Sequence, residues 1–474
     1  MVTRSGQSGA DVDPLLQRAW RLCAEAEPLL GFEHQRAIAE FQRILEAPVR
    51  AALVGRVNSG KSTLVNALVG QSVAPTNATE CTRVATIYRN GMPARAVVAG
   101  TDGAQATIPI GDRLPDNLGR PVDKISHIDV FLPNAALRSL ELIDTPGTSG
   151  HGGNAAPTTS SGTAFMTGAD GPDVVFLLFD GVLRPDDLEL LHAIGANRAN
   201  TFALLSHSDS YGSGPFGGSD PIDDATKKAD ELAAQHRDKF CQVVAVSGLL
   251  GEAALTGSFR EQDARVLASL ADLDPFELSI ELASTEDSAI IELLERIGEY
   301  GIVSSRPMAK FGAHAVIEHL RKRSGIAEFI STARPIVRRR ANLRRVKNLL
   351  ESLRVAARHA PRSAEVLALI DAAEMDPAFH ALRELRAMDL ILRWSPAHPL
   401  VAELDKAISG DPAFALDLPV STPVSELAAA AMRKCGETRT RRLIARSAAE
   451  GEVLTVLERS YQLLAMRLQG AAFA

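Results

Sequence analysis

The sequence predicts an α/β domain with a mostly parallel sheet and helices on both faces, followed by an all-helical region. Three observations lead there. Seven short, mostly apolar runs alternate with helical patterns over roughly the first half of the chain. A glycine-rich turn joins the first run to a helix. From about residue 261 the strand pattern stops and only helical periodicity remains.

The runs are Ala51–Val54, Val84–Tyr88, Ile128–Leu132, Leu140–Ile143, Val174–Phe179, Phe202–Leu205 and Val243–Val246. Ala51–Val54, Val174–Phe179, Phe202–Leu205 and Val243–Val246 are apolar at every position, which fits strands covered on both faces. Between them lie the helical patterns Ser62–Val69, Pro185–Ile194 and Asp223–Phe240. A helical segment over 14–47, interruptible at Gly31, precedes the first strand. The later helices are expected over 261–272, 286–301, 307–332, 335–358, 362–374, 378–393, 398–408 and 424–470, with Pro361, Pro396, Gly410, Pro412 and Pro423 at boundaries.

Composition narrows the function classes. The chain has 474 residues, enough for two or three domains, and is 46% hydrophobic. A net charge of −7 argues against nucleic acid as a partner of the whole chain. No apolar run reaches the roughly 18 residues of a membrane span, and Met1–Pro14 lacks the apolar core of a signal peptide. Cys23, Cys81, Cys241 and Cys435 are scattered, without metal spacing, and read as free thiols. The histidines share no ligand spacing, and there is no Gly-x-Ser-x-Gly nucleophile turn.

The chemistry lies in Gly55-Arg56-Val57-Asn58-Ser59-Gly60-Lys61-Ser62, a full G-x-x-x-x-G-K-[ST] between strand and helix. Its glycines turn backbone N–H groups toward phosphates, the helix N-terminus through Thr63 adds its positive end, and Lys61 supplies a point charge. The Ser62 hydroxyl is a Mg²⁺ ligand, and Asp144 of Asp144-Thr-Pro-Gly147 holds the metal while the Gly147 N–H senses a γ-phosphate. Between them, Thr79 and Thr82 are candidates to close over Mg²⁺. Base recognition is expected at Ser206-His207-Ser208-Asp209, where Asp209 would accept from guanine and His207 would stack. Ser247-Gly248 forms the further base loop. Histidine in place of lysine is expected to weaken guanine affinity, with adenine, or no strong base preference, as the alternatives. Two Gly/Ser/Thr-rich stretches, 147–171 and 211–220, follow strands and are expected to be switch or dimer-contact segments.

Together these motifs resemble the dynamin superfamily, and within it the isoniazid-inducible dynamin-like group of mycobacteria. The resemblance rests on Gly55–Ala67, on Pro75 seven residues before Thr82-Arg83, and on 68–83, Asp144–Ser149, Val246–Leu250, Arg296–Ile302 and Arg323–Ala327. It covers most of residues 45–335. It favours Thr82 over Thr79, and implies a GTPase domain over 50–335 with a helical elaboration at 251–322. It further implies a helical neck and trunk over 336–474, with residues 1–49 packing on the neck. GTP hydrolysis with Mg²⁺, activated by head-to-head dimerisation of GTPase domains and coupled to membrane remodelling or maintenance, is the implied activity. Lys61, Asn58, Thr82 and Gly147 would then be catalytic. The alternatives are a low-activity scaffold partnering a second dynamin-like chain, and an ATPase or assembly GTPase without membrane function. The family pattern departs here at Val57, and Arg56 is a possible arginine donor. The implied location is cytoplasmic, peripheral on the inner face of the cell membrane.

For lipid contact two segments stand out. One is the basic helix 316–358, with twelve Lys/Arg against three Glu between Glu318 and Arg358, densest at Arg338-Arg339-Arg340, Arg344, Arg345 and Lys347. The basic face could meet anionic lipid, an acidic partner helix, or acidic groups of the same chain. The other is the turn Ile391–Leu400 with Trp394, readable as a shallowly inserting tip or as a buried corner.

Overall fold

The computed structural model describes residues 13–31, 35–75, 84–111, 113–115, 117–147 and 171–472. The chain divides into two compact units, residues 48–337 and residues 1–47 with 338–474.

The first unit is built on one nine-stranded sheet. Its strands are β1 (Val49–Gly55), β2 (Thr86–Asn90), β3 (Arg95–Gly100), β4 (Gln105–Pro109), β5 (Ile125–Leu132), β6 (Leu140–Asp144), β7 (Val174–Phe179), β8 (Thr201–Leu205) and β9 (Gln242–Ala245). They lie in the order β4-β3-β5-β2-β6-β1-β7-β8-β9. Pairing is parallel from β6 across β1, β7 and β8 to β9, and between β2 and β5. It is antiparallel where β2 meets β6 and along β4-β3-β5. The hairpin β3-β4 was not expected from the sequence. Its outer strand, Gln-Ala-Thr-Ile-Pro, alternates between exposed and half-buried residues, so it carries no continuous apolar run.

The central strands are buried on both faces because their alternate residues serve different layers. Val175, Leu177 and Phe179, with Ala203 and Leu205, pack under Leu191, Ala225 and Leu232 of helices Pro185–Ala193 and Pro221–Gln235. Phe176 and Phe202 point the other way and meet Phe329 edge-on, with ring centroids 5.4 and 6.2 Å from it. A second apolar cluster joins helices Gly248–Leu255, Glu261–Ser269, Pro275–Ser284, Ser288–Ala309 and Ala313–Arg323. The expected boundary near 301–307 is displaced. One helix runs Ser288–Ala309 with a break at Gly298, and Pro307 lies inside it. Helix Ile326–Ala357 likewise carries Pro335 in its interior.

The second unit is all-helical. Helices Pro14–Leu30 and Gln35–Glu46 share one core with the chain beyond 338, including Leu15, Leu22, Leu343, Leu353, Ile370, Ile391, Leu404 and Leu457. Its basic run is largely turned inward. Arg339 and Asn342 bond Asp13 at 3.1 Å, buried Arg340 pairs with Asp405 at 3.0 Å, and buried Arg345 donates to the Ala47 carbonyl at 2.7 Å. For these arginines the intramolecular reading holds, not the lipid-facing one.

The expected single helix over 424–470 is a hairpin of Val424–Leu443 and Ala448–Ala472. Its second arm starts at a pair of side-chain caps, Ser447 and Glu450. Ser447 Oγ accepts the Glu450 N–H, and the Glu450 carboxylate accepts the Arg446 N–H at 2.6 Å. The turn leaves Leu443 79% and Ile444 76% exposed. The Trp394–Pro399 turn lies beside this hairpin, with the Trp394 ring tilted against His398 (centroids 5.4 Å apart) and His398 Nε2 4.0 Å from Glu450. Among the described residues no helix is long and apolar enough to cross a membrane.

Buried His380 also links this unit, its Nε2 3.0 Å from Ser460 Oγ and 3.2 Å from the Val456 carbonyl. Burial pushes its pKa below the ordinary imidazole range, against the pull of Glu384. Below about pH 6.5 the unfolded chain therefore binds a proton that the folded one resists, and stability falls with pH. We expect acid destabilisation of this unit beginning near that pH and diminished in His380→Gln. Both tryptophans, Trp20 and Trp394, belong to this unit, so melts followed by tryptophan fluorescence report on it.

Candidate nucleotide site

The site begins where β1 ends. Gly55 lies so close to Leu178 that a Cβ would run into its backbone oxygen, and Gly60 adopts a left-handed conformation (φ 85°) at the helix start. Asn58, at the loop crest, is also left-handed (φ 62°), a conformation asparagine tolerates better than most residues. Helix Lys61–Val69 starts without a side-chain cap, so its first N–H groups stay open at the mouth of the loop. It ends at Gly70, whose left-handed backbone (φ 73°) lets its N–H close on the Asn66 carbonyl at 2.8 Å.

Lys61 is buried, and its Nζ donates to the carbonyls of Gly55 (3.0 Å) and Arg56 (2.6 Å). Burial lowers its pKa, and the nearby Asp144 charge works the other way. Asp144 closes β6, beside β1 in parallel register. Its Oδ2 accepts the Ser62 hydroxyl at 2.9 Å, while Oδ1 is buried with no hydrogen-bond partner among the described residues. Burial raises the Asp144 pKa, opposed by Lys61 and by the Ser62 bond. A carboxylate with a free buried oxygen beside a hydroxyl is an oxygen donor set that fits a hard divalent cation.

The segment after Asp144 is strapped to the phosphate loop. Thr145 Oγ1 donates to the Leu53 carbonyl at 2.7 Å. Gly147 lies so close to Val57 that a Cβ would stand 2.6 Å from its nitrogen and 2.7 Å from its Cα. Arg56 does not extend freely. Its guanidinium lies 3.4 Å from Asp186 and 3.9 Å from Asp187, at the start of helix Pro185–Ala193.

The expected base loop sits beside this mouth. His207, left-handed at φ 56°, lies with Nε2 3.0 Å from the Asn58 carbonyl, so the base loop reaches back to the phosphate loop. Asp209 makes no hydrogen bond or ion pair among the described residues, leaving both oxygens as acceptors. Ser247 is buried and already committed, since its Oγ caps the Leu250 N–H at 3.2 Å. Gly248 faces Thr63, with room for a Cβ only 3.4 Å from that side chain.

The structure thus gathers Gly55, Arg56, Asn58, Ser59, Gly60, Lys61, Ser62, Thr63, Asp144 and Gly147 around one mouth. Thr79, Thr82 and residues 148–170 lie outside the described residues. Reasoning from motifs missed Asn66, which is buried. Its amide donates to the Ala74 carbonyl (3.0 Å) and to Glu252 (2.9 Å), and its oxygen accepts the Ala74 N–H (2.7 Å). It fixes the chain just ahead of Pro75. No sequence signal marks it apart from its place in the helix after the loop.

Comparison with known proteins places this geometry. Residues 50–206 match the family model described as 50S ribosome-binding GTPase. The isoniazid-induced protein IniC of Mycobacterium tuberculosis is 35% identical over 290 residues, covering 54% of this chain and 56% of that protein. IniA of the same organism is 36% identical over 130 residues, covering 25% of this chain and 20% of that one. The chain thus spans about half or less of the length of these curated relatives. A solved structure of an oligomerised bacterial dynamin pair, described as sensing and tethering membranes, aligns over 98% of this chain and 92% of its own. It does so with TM-score 0.35 and 13% identity.

Proposed function

From the premise that this chain is a homologue of the isoniazid-induced proteins and carries a P-loop GTPase domain, we propose that it is a dynamin-like GTPase. In this reading it binds GTP with Mg²⁺, hydrolyses it when two GTPase domains meet, and couples turnover to contact with a membrane surface. The observation that carries the reading is the closed constellation of Lys61, Ser62, Asp144 and Gly147 around an uncapped helix start.

Each side chain has a defined task. Lys61 exchanges its two loop carbonyls for β- and γ-phosphate oxygens. Ser62 and Asp144, now bonded to each other, would hold Mg²⁺, which neutralises phosphate charge when bound. Gly147 offers its N–H next to the phosphate loop. Asp209 accepts from the guanine edge, and His207 covers the base while its Nε2 keeps the loop on Asn58. Thr82 would close over the attacking water.

Membrane contact is assigned to the hairpin turn of the helical unit. Leu443 and Ile444 are exposed apolar side chains flanked by Arg442 and Arg446, the composition of a shallow lipid anchor on an anionic surface. Leu443→Asp with Ile444→Asp is expected to cut co-flotation with phosphatidylglycerol vesicles at least about fivefold. Nucleotide binding should stay at the wild-type level. Undiminished flotation would remove this turn from the reading.

A second reading is favoured by two observations. Val57 presents no donor at the position where a catalytic side chain would stand, and Arg56 is paired with Asp186. A slow nucleotide-dependent scaffold, partner to a second dynamin-like chain, fits both. Titration of labelled GTP, GDP and ATP with Mg²⁺, with phosphate release measured with and without anionic vesicles, decides. GTP-selective binding with concentration- or lipid-dependent turnover supports the first reading. Binding without turnover supports the second, and binding of no guanine nucleotide overturns both.

A further inference from the structure

Two segments of the family resemblance, Arg296–Ile302 and Arg323–Ala327, take no part in the nucleotide chemistry above. The fold brings them together behind the two base loops. Tyr300 is buried, and its hydroxyl donates to Asp220 Oδ2 at 3.0 Å. Arg323 donates from Nε to that same hydroxyl oxygen at 2.7 Å and from its terminal nitrogens to Asp220 and Asp223. Asp220 is the N-cap of helix Pro221–Gln235, accepting the N–H groups of Ile222 and Asp223. It also ends the loop that starts at His207-Ser208-Asp209.

The other base loop is held by the next residues of the same segment. The Ser324 carbonyl accepts the Ser247 N–H at 2.9 Å. Gly325, at φ 70°, lies where a Cβ would stand 2.6 Å from the Ala245 carbonyl oxygen. The two base loops touch directly through the Ser208 N–H and the Val246 carbonyl at 3.3 Å. Gly298 breaks its helix at φ 67°, where a Cβ would stand 3.1 Å from Leu249 and 3.9 Å from Asp209 Oδ2. One polar cluster and two left-handed glycines therefore brace Asp209 and Ser247-Gly248 from behind.

We propose that Tyr300 and Arg323 are positioning residues for base selection, clamping the loop of Asp209 in register with that of Ser247. The inference rests on the guanine reading of Asp209 given above. Recognition of the guanine 2-amino group needs a carboxylate held at hydrogen-bond distance, and a site built on such a bond rejects a base lacking the group. Phosphate affinity is generated at the loop after β1, which the clamp does not touch. Loosening the clamp should therefore blur base choice and spare phosphate binding.

The test uses the full chain with Mg²⁺ and three ligands: GDP, IDP (which lacks the 2-amino group) and inorganic tripolyphosphate. Arg323→Ala is expected to weaken GDP about tenfold, to move the GDP-to-IDP ratio toward one, and to leave tripolyphosphate affinity unchanged. Arg323→Lys should restore part of the ratio. Tyr300→Phe keeps the ring, loses the bond to Asp220 and the one accepted from Arg323 Nε, leaves Arg323 on Asp220 and Asp223, and should shift the ratio the same way by a smaller factor. It also keeps the test valid should Arg323→Ala fold poorly. An unchanged ratio in the variants, or an equal fall for GDP and tripolyphosphate, overturns the clamp and leaves the GTPase reading standing. Absence of any GDP-over-IDP preference in the wild type overturns both the guanine reading and the clamp.

Discussion

Replacement of Lys61 by alanine is expected to weaken binding of GTP and GDP at least about a hundredfold while leaving the fold intact. In free energy that is about 2.7 kcal/mol. Two opposing terms explain why stability is spared. The ammonium donates two hydrogen bonds to loop carbonyls, and it has been taken out of water to make them. A buried charge of this kind recovers little net stability, because desolvation offsets the bonds. Its lowered pKa is the sign of that cost. With a nucleotide present the balance changes, since the same ammonium meets the negative charge of the phosphates at short range in a water-poor site. Lys61→Arg should not rescue binding, because a planar guanidinium is bulkier than the buried ammonium and cannot take its place as a compact point charge. Equilibrium titration with a fluorescent GDP, alongside thermal melts, checks the prediction. Affinity within threefold of wild type would remove Lys61 from the phosphate site.

The parts of this molecule legible in the sequence are those where one physical demand dominates. β7, β8 and the Ala51–Val54 part of β1 read directly because strands covered on both faces need apolar residues at nearly every position, and β6 is marked by Leu142-Ile143 ahead of Asp144. The phosphate loop reads directly because left-handed turns at Gly60 and close approach at Gly55 admit few other residues. Features that depend on a partner distant in sequence were not legible. The strand β4 has an alternating pattern that only the neighbouring β3 turns into sheet. The hairpin at 444–447 hid because helix-compatible residues continue across it with no proline or glycine at the turn, and the Ser447 and Glu450 caps are only two polar residues among many. The basic run at 338–345 looked like a surface, yet Asp13 and Asp405 pair with Arg339 and Arg340, and the Ala47 carbonyl accepts from Arg345, across up to 326 residues of chain. Within the site, Lys61, Ser62 and Asp144 were predictable from spacing. The bond of His207 to the phosphate loop and the clamp of Tyr300 and Arg323 required the fold. The same holds for Arg56, whose pairing with Asp186 spans 130 residues.

Gly147→Ala should produce the other large effect, and by a different route. A methyl group at this position would stand 2.6 Å from Val57 N, 2.7 Å from Val57 Cα and 2.8 Å from Val57 Cγ2. Rotation of the valine relieves the last contact but not the first two, which are backbone. Either the phosphate loop or the strap after β6 must then shift, and the strap is also held by Thr145 on Leu53. Crowding of this kind costs typically about 1–3 kcal/mol in a packed region. It falls on the segment expected to report the γ-phosphate, so its effect is selective. GDP, which needs only the loop and helix start, should bind within about threefold of wild type. A non-hydrolysable GTP analogue should lose at least about tenfold, and turnover about a hundredfold, because an interaction made only with the γ-phosphate is the one displaced. Val57→Gly, which removes the valine side chain but not the two backbone contacts, should fail to rescue Gly147→Ala. Parallel titration of GDP and the GTP analogue, with phosphate release on the same preparations, separates the outcomes. An equal loss for both ligands would mean that the substitution damages the phosphate loop as a whole. An unchanged ratio with normal turnover would mean that Gly147 is required for packing alone, and the γ-phosphate sensor would have to be sought beyond it in the chain.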